Sequence, residues 1–146
     1  MKLLMILFFL LYSNLVEANG HISYTHEYNY KIKRVIDGDT LEIEIDFLPK
    51  ELGNTLKLRV LGVDTPEKGN RSHCVLESFK AENATLFTKM EVEKAKDIKI
   101  IIRKWDKYGG RVLGDIRLDG ELLSKKLIDK GYAIEYMGKG SKPNWC

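Results

Sequence analysis

Two segments, LEIEIDF at 41–47 and TLKLRVLGV at 55–63, place apolar side chains at every second position. A period of two describes a strand with one face on a core and the other in water. In the first segment Leu41, Ile43, Ile45 and Phe47 share one face, while Glu42, Glu44 and Asp46 share the other. The residues between the segments include Pro49 and Gly53 and read as a turn. A chain organised this way must fold a half-buried sheet around one apolar interior.

The rest of the chain extends this pattern. YKIKRVI at 30–36 alternates well enough for a first strand and leads into the turn-like Asp37-Gly38-Asp39-Thr40. From about Cys74 to Met90 the period changes, and Leu76, Phe79, Phe87 and Met90 fall at helical spacing, which predicts an amphipathic helix. The β-branched stretch around IKIIIR and the alternation from Arg111 to Leu118 predict strands four and five. ELLSKKLIDKG then predicts a short helix presenting Leu123, Leu127 and Ile128, with Gly131 as its C-terminal cap. Five short antiparallel strands with helices after the third and fifth define a mainly β (α+β) class: a small five-stranded barrel with two or more packed helices.

The chain has 146 residues, 44% hydrophobic and 31% charged, which suits one globular domain. At its start, Lys2 precedes an apolar run from Leu3 to about Leu11, and Val16-Glu17-Ala18 supplies a small-residue cleavage pattern. Residues 1–18 therefore read as a secretory signal, leaving one domain over 19–146 and a secreted or periplasmic protein. The run is shorter than the ~20 residues of a bilayer span, so no stable membrane association is expected after cleavage. Cys74 and Cys146 suit a single disulfide in an exported protein, with two free thiols as the alternative. No left-over apolar stripe is evident, which makes a monomer the expectation.

Net charge is only +3, but its distribution is uneven. Six acids against Lys50 alone lie between Asp37 and Glu51, and five bases against two acids lie between Arg103 and Arg117. One part of the fold suits a cation and another a polyanion.

The side chains able to do chemistry recur at turns and strand ends, where a rigid scaffold presents them. Asp39 lies in the Asp-Gly-Asp-Thr turn, Asp64 and Glu67 follow strand three, and Arg111 follows a glycine pair. Asp37 and Asp39 also suit plain turn formation. Asp39 together with Asp64 offers oxygen ligands to Ca²⁺ or Mg²⁺, whereas His21, His26 and His73 are too scattered for a zinc site. Arg59 falls on the apolar face of its strand with Leu61 and Val63. A straight strand would hold Arg59 about 16 Å from Asp64 at ~3.3 Å per residue, so one site requires a sharp bend, and Gly62 is placed to make it. Two arginines and a divalent cation would stabilise charge on the nonbridging oxygens of a phosphodiester, with Glu67 orienting or deprotonating water.

In this order, VIDGDT, RVLGVDTPE and DKYGGR resemble the staphylococcal nuclease family, and FTKM and LIDKGYA extend the similarity over roughly Lys33 to Tyr136. The resemblance implies an OB-fold barrel and a secreted, Ca²⁺-dependent nuclease that hydrolyses DNA and RNA, single-stranded or locally melted, to 3′-phosphate ends. It assigns Asp39, Asp64 and the Thr65 carbonyl to the metal, Glu67 to the general base or water-orienting position, and Arg59 and Arg111 to phosphate. Lys107 and Tyr108 fall beside the nucleotide, and Tyr136 or Tyr132 is the candidate for stacking on a base. The extra glycine before Arg111 and the distinct loop carrying Cys74 depart from the staphylococcal pattern. Similar members pair a cysteine in that loop with one in a Trp-Cys ending, which implies a Cys74–Cys146 bridge.

The rival reading is an OB-fold module that binds single strands without cutting them. A secreted structural barrel would explain the cysteines but not the convergent acids and arginines. Asn83-Ala84-Thr85 matches a glycosylation sequon but falls inside the predicted helix. Trp105 and Trp145 are expected to pack on the barrel or cover its end.

Overall fold

The computed structural model of the chain describes residues 26–146; the signal reading over 1–18 lies outside them. Its strands are β1 (Glu27–Tyr28), β2 (Ile32–Asp37), β3 (Thr40–Glu44), β4 (Thr55–Val60), β5 (Val63–Asp64), β6 (Ile98–Trp105), β7 (Arg111–Leu118), β8 (Glu121–Leu122) and β9 (Ile134–Glu135). Helix α1 spans Val75–Lys94 and α2 spans Leu123–Asp129. The main sheet runs β1-β6-β7-β4-β3-β2 with β8 on β7, and β5 pairs with β9 separately. This mixed sheet with two helices is the α+β arrangement expected of the OB class. The hydrogen-bonded path is open, ending at β1 and β2.

The all-antiparallel expectation needs one correction. β4 and β7 pair in parallel, with Lys57 opposite Arg111 and Arg59 opposite Leu113. A parallel pair cannot be joined by a tight turn, and the crossover here contains α1 and β6.

The predicted alternation fills the core. Leu41, Ile43, Leu58, Ile100, Ile116, Leu123 and Leu127 are wholly buried, and each such side chain contributes about 1.5–3 kcal/mol relative to exposure. Phe47 breaks the pattern at 74% exposed, because β3 has already ended at Glu44. Gly114 lets β7 lie close against β6, since a Cβ there would stand 1.8 Å from the Ile101 carbonyl oxygen. Gly131 adopts a left-handed φ of 73° at the end of α2, and its N–H donates to the Ile128 carbonyl.

Helix α1 differs from its sequence reading in which face it buries. Glu77, Ala81, Ala84, Thr85, Thr88 and Glu91 point inward, whereas Leu76, Phe79 and Met90 are about half exposed or more. Only Phe87 of the predicted apolar set packs on the core, where its ring stacks on Tyr132 at 4.6 Å. The polar inner face has work to do. Thr88 donates to the Gly38 carbonyl at 2.7 Å, and Glu91 pairs with Lys126 at 2.9 Å. An apolar stripe of Val75, Phe79, Leu86 and Met90 is thus left over, so the ground for expecting a monomer is not met. Asn83 lies inside α1, as the sequence predicted. Among the described residues, no helix is long and apolar enough to cross a membrane.

Candidate active site

The bend at Gly62 occurs as required. The chain turns there with φ 86°, β5 begins one residue later, and Tyr136 N–H donates to the Gly62 carbonyl at 2.9 Å. Arg59 and Asp64 are thereby brought together. The Arg59 guanidinium donates through Nη1 to Asp39 at 3.0 Å and through Nη2 to Asp64 at 3.3 Å. Both carboxylates are buried, and Asp39 also accepts from the Thr40 hydroxyl at 2.9 Å and the Thr65 N–H at 3.3 Å.

The turn that presents Asp39 is pressed against α1. A Cβ on Gly38 would lie 2.9 Å from Ala84 Cβ and 3.0 Å from Thr65 Cγ2, so glycine is needed for this approach. The loop carrying Glu67 is pinned from the same helix, since buried Glu77 accepts from Glu67 N–H at 3.2 Å and His73 N–H at 2.6 Å. Glu77 could not be recognised from sequence, because an acid in a helical stretch reads as solvated surface.

Asp39, Arg59, Thr65, Glu67 and Arg111 line one polar hollow of about 130 Å³. It adjoins a cleft of about 580 Å³ walled by Arg59, Arg71, Lys104, Lys107, Arg111, Lys139 and Lys142. Tyr108, 77% exposed, and Trp105, 65% exposed, stand along this cationic cleft. Trp105 is therefore mostly exposed rather than packed into the core. Lys107 lies over the Tyr108 ring at 4.8 Å. Tyr136 lines the cleft, whereas Tyr132 is committed to Phe87. Arg111 reaches the hollow while paired with the Asp106 carboxylate.

Sequence reasoning missed the contribution of the tail. Cys74 and Cys146 form a disulfide with Cα atoms 6.0 Å apart. Between them, Trp145 is buried and donates its indole N–H to Asp64 at 3.4 Å. Lys142 donates to Glu67 at 2.8 Å and lies 3.3 Å from Asp64. Arg71 adds contacts to Glu67 at 3.3 Å and Asp37 at 3.6 Å. The bridge was the one signal that could have led to Lys142, four residues before Cys146.

Burial is the largest influence on Asp39 and pushes its carboxyl up to about 7, opposed by Arg59 and reinforced by Asp37. Burial also acts to raise Glu67, but Lys142, Arg71 and Arg59 outweigh it and hold the carboxyl below its usual range. Asp37 Oδ1 is buried without a hydrogen-bond partner, an unsatisfied acceptor on a group that interacts with Asp39. This crowding of carboxylate oxygen fits a hard divalent cation. Among the described residues, no three acidic, histidine or cysteine side chains converge at ligand spacing. Asp39 and Asp64 would then be joined by main-chain and water oxygens, as such cations accept.

The fold is an α+β arrangement of the OB class that presents two buried carboxylates bridged by an arginine beside a cationic cleft. The sequence profile of the staphylococcal nuclease homologue family matches residues 57–144, and the chain belongs to that family. It is 33% identical over 125 residues to a thermonuclease of Staphylococcus hyicus, covering 85% of this chain and 67% of that protein. It is also 36% identical over 106 residues to a thermonuclease of Staphylococcus intermedius, covering 72% of this chain and 58% of that protein.

Proposed function

We propose that the chain is a secreted, Ca²⁺-dependent nuclease hydrolysing phosphodiester bonds of DNA and RNA to 3′-phosphate ends. The observation that carries this reading is the Arg59 guanidinium spanning Asp39 and Asp64 beside Glu67 and Arg111 in one hollow. The relatives named thermonuclease support the nuclease part of it.

Asp39, Asp64 and the Thr65 carbonyl would hold the cation, which supplies Lewis-acid stabilisation of phosphate charge when bound. Arg59 and Arg111 grip nonbridging oxygens through their planar forks. Glu67, ionised at neutral pH, accepts a hydrogen bond or a proton from the attacking water. Lys107, Tyr108 and Tyr136 steer the strand, and stacking on exposed rings favours unpaired bases.

The test is cleavage of single-stranded DNA by oxidised protein with Ca²⁺ or chelator, beside Glu67→Gln. Ca²⁺-dependent cutting that the substitution lowers by roughly 10²–10⁴-fold is the expected result. Tight binding without cutting in any divalent metal would establish the binding module instead, a reading favoured by the exposed Trp105 and Tyr108 along the cleft.

A further inference from the structure

Nothing in the chemistry above uses Lys142, yet its amine makes the shortest contact to Glu67, at 2.8 Å. It sits on a tail with little regular structure, whose position is set by attachment. Cys146 is bonded to Cys74 at the N-terminus of α1, and Lys80 on that helix donates to the Trp145 carbonyl at 2.8 Å. Cys74 also caps α1, accepting from Glu77 N–H at 3.3 Å. Glu77 in turn holds the Glu67 loop. The same two residues, 74 and 77, thus anchor both the carboxylate and the lysine facing it.

We propose that Lys142 is a positioning residue for Glu67 and that the Cys74–Cys146 bridge is what delivers it. The inference rests on the nuclease reading. A free glutamate on a loop samples several rotamers, and an ammonium donating to Oε1 fixes one carboxylate oxygen while leaving Oε2 to Arg71 and water. Lysine at the end of a tethered tail is a compact cation and needs no bidentate geometry for this role.

The first measurement compares Lys142→Ala, Lys142→Arg and wild type in single-stranded DNA cleavage with saturating Ca²⁺. Loss of positioning lowers kcat by about tenfold with KM little changed, less than removal of the base itself costs. Lys142→Arg restores most of the rate. A dithiol reductant then supplies two electrons and two protons to the disulfide, giving two cysteine thiols and the oxidised cyclic reductant. Reduction lowers the rate of wild type by a larger factor than that of Lys142→Ala, because only wild type has the lysine contact to lose.

A second readout needs no activity. Site-resolved acetylation without metal finds Lys142 reacting more slowly in the oxidised protein than after reduction; in Glu67→Gln its contact with Asp64 at 3.3 Å remains, so the rate there rises less. Equal or faster cleavage by Lys142→Ala, or acetylation of Lys142 at the same rate before and after reduction, overturns the inference while leaving the nuclease reading intact. Failure of wild type to cleave in any divalent metal overturns both. Thermal melts separate loss of positioning from loss of fold.

Discussion

The indole N–H of Trp145 donates to Oδ2 of Asp64 at 3.4 Å, joining two residues 81 positions apart. The ring is buried, and the bond would restrict the orientation of a carboxylate proposed to hold the cation. Trp145→Phe keeps an aromatic ring and deletes the donor. The Ca²⁺ concentration for half-maximal cleavage should rise by up to about tenfold, the low end for such a partner given the long bond. A calcium titration of the cleavage rate checks this, and an unchanged midpoint would count against any orienting role.

Arg59 is the shared cation of two buried carboxylates. Removing it with Arg59→Ala takes the cation from Asp39 and leaves Asp64 with Lys142 alone, which costs up to about 3 kcal/mol in the metal-free protein, less where Asp39 takes up a proton. Added Ca²⁺ should therefore raise the Tm of the variant more than that of wild type. Calorimetry with Ca²⁺ and with chelator measures the difference.

Cys74 and Cys146 are separated by 72 positions. Closing a loop of that length restricts the unfolded chain by about 4 kcal/mol. The double substitution Cys74→Ser/Cys146→Ser should fall in stability by about this amount in denaturant titrations, with the α+β secondary structure retained below the midpoint.

Gly114 lies so close to β6 that any Cβ there would meet the Ile101 carbonyl. Gly114→Ala should prise β6 from β7 and cost at least about 3 kcal/mol, at the overpacked end of core substitutions. Soluble yield and thermal melting report the loss; a wild-type Tm would show that the strands separate easily.

Buried Glu91 is an acid-stability element. Burial acts to raise its carboxyl, but Lys94 and Lys126 outweigh it and hold the group below its usual value. The unfolded state therefore binds the proton first, so stability rises with pH through the window below about 4.5 and is lost as pH falls through the folded value. Glu91→Gln should flatten that part of the stability profile, measured by urea unfolding between about pH 3 and 6.

The strands and the turns that bring the candidate site residues together were legible because each announces itself locally. Alternation marks Leu41, Ile43 and Leu58 as core, and the Asp-Gly-Asp-Thr turn and the bend at Gly62 place Asp39 and Asp64. The orientation of α1 was not legible, because its inner face is polar. Thr88, Glu77 and Glu91 are buried to hold a turn, a loop and a second helix, so the period of the apolar residues pointed to the exposed side. The burial of Trp145 was expected, but its bond to Asp64 and the place of Lys142 were hidden for a different reason. Their contacts depend on the path of a tail that only the disulfide fixes.

The parallel pairing of β4 with β7 sets when the site can exist during folding. Lys57 meets Arg111 only after the crossover through α1 and β6 is in place, a distant closure that is slow compared with helix or hairpin formation. Arg59 and Arg111 stand on those two strands, so the two guanidinium groups share a hollow only once that distant closure is complete. A chain still folding therefore has no assembled hollow, and whatever chemistry the site performs can begin only after the long crossover has closed.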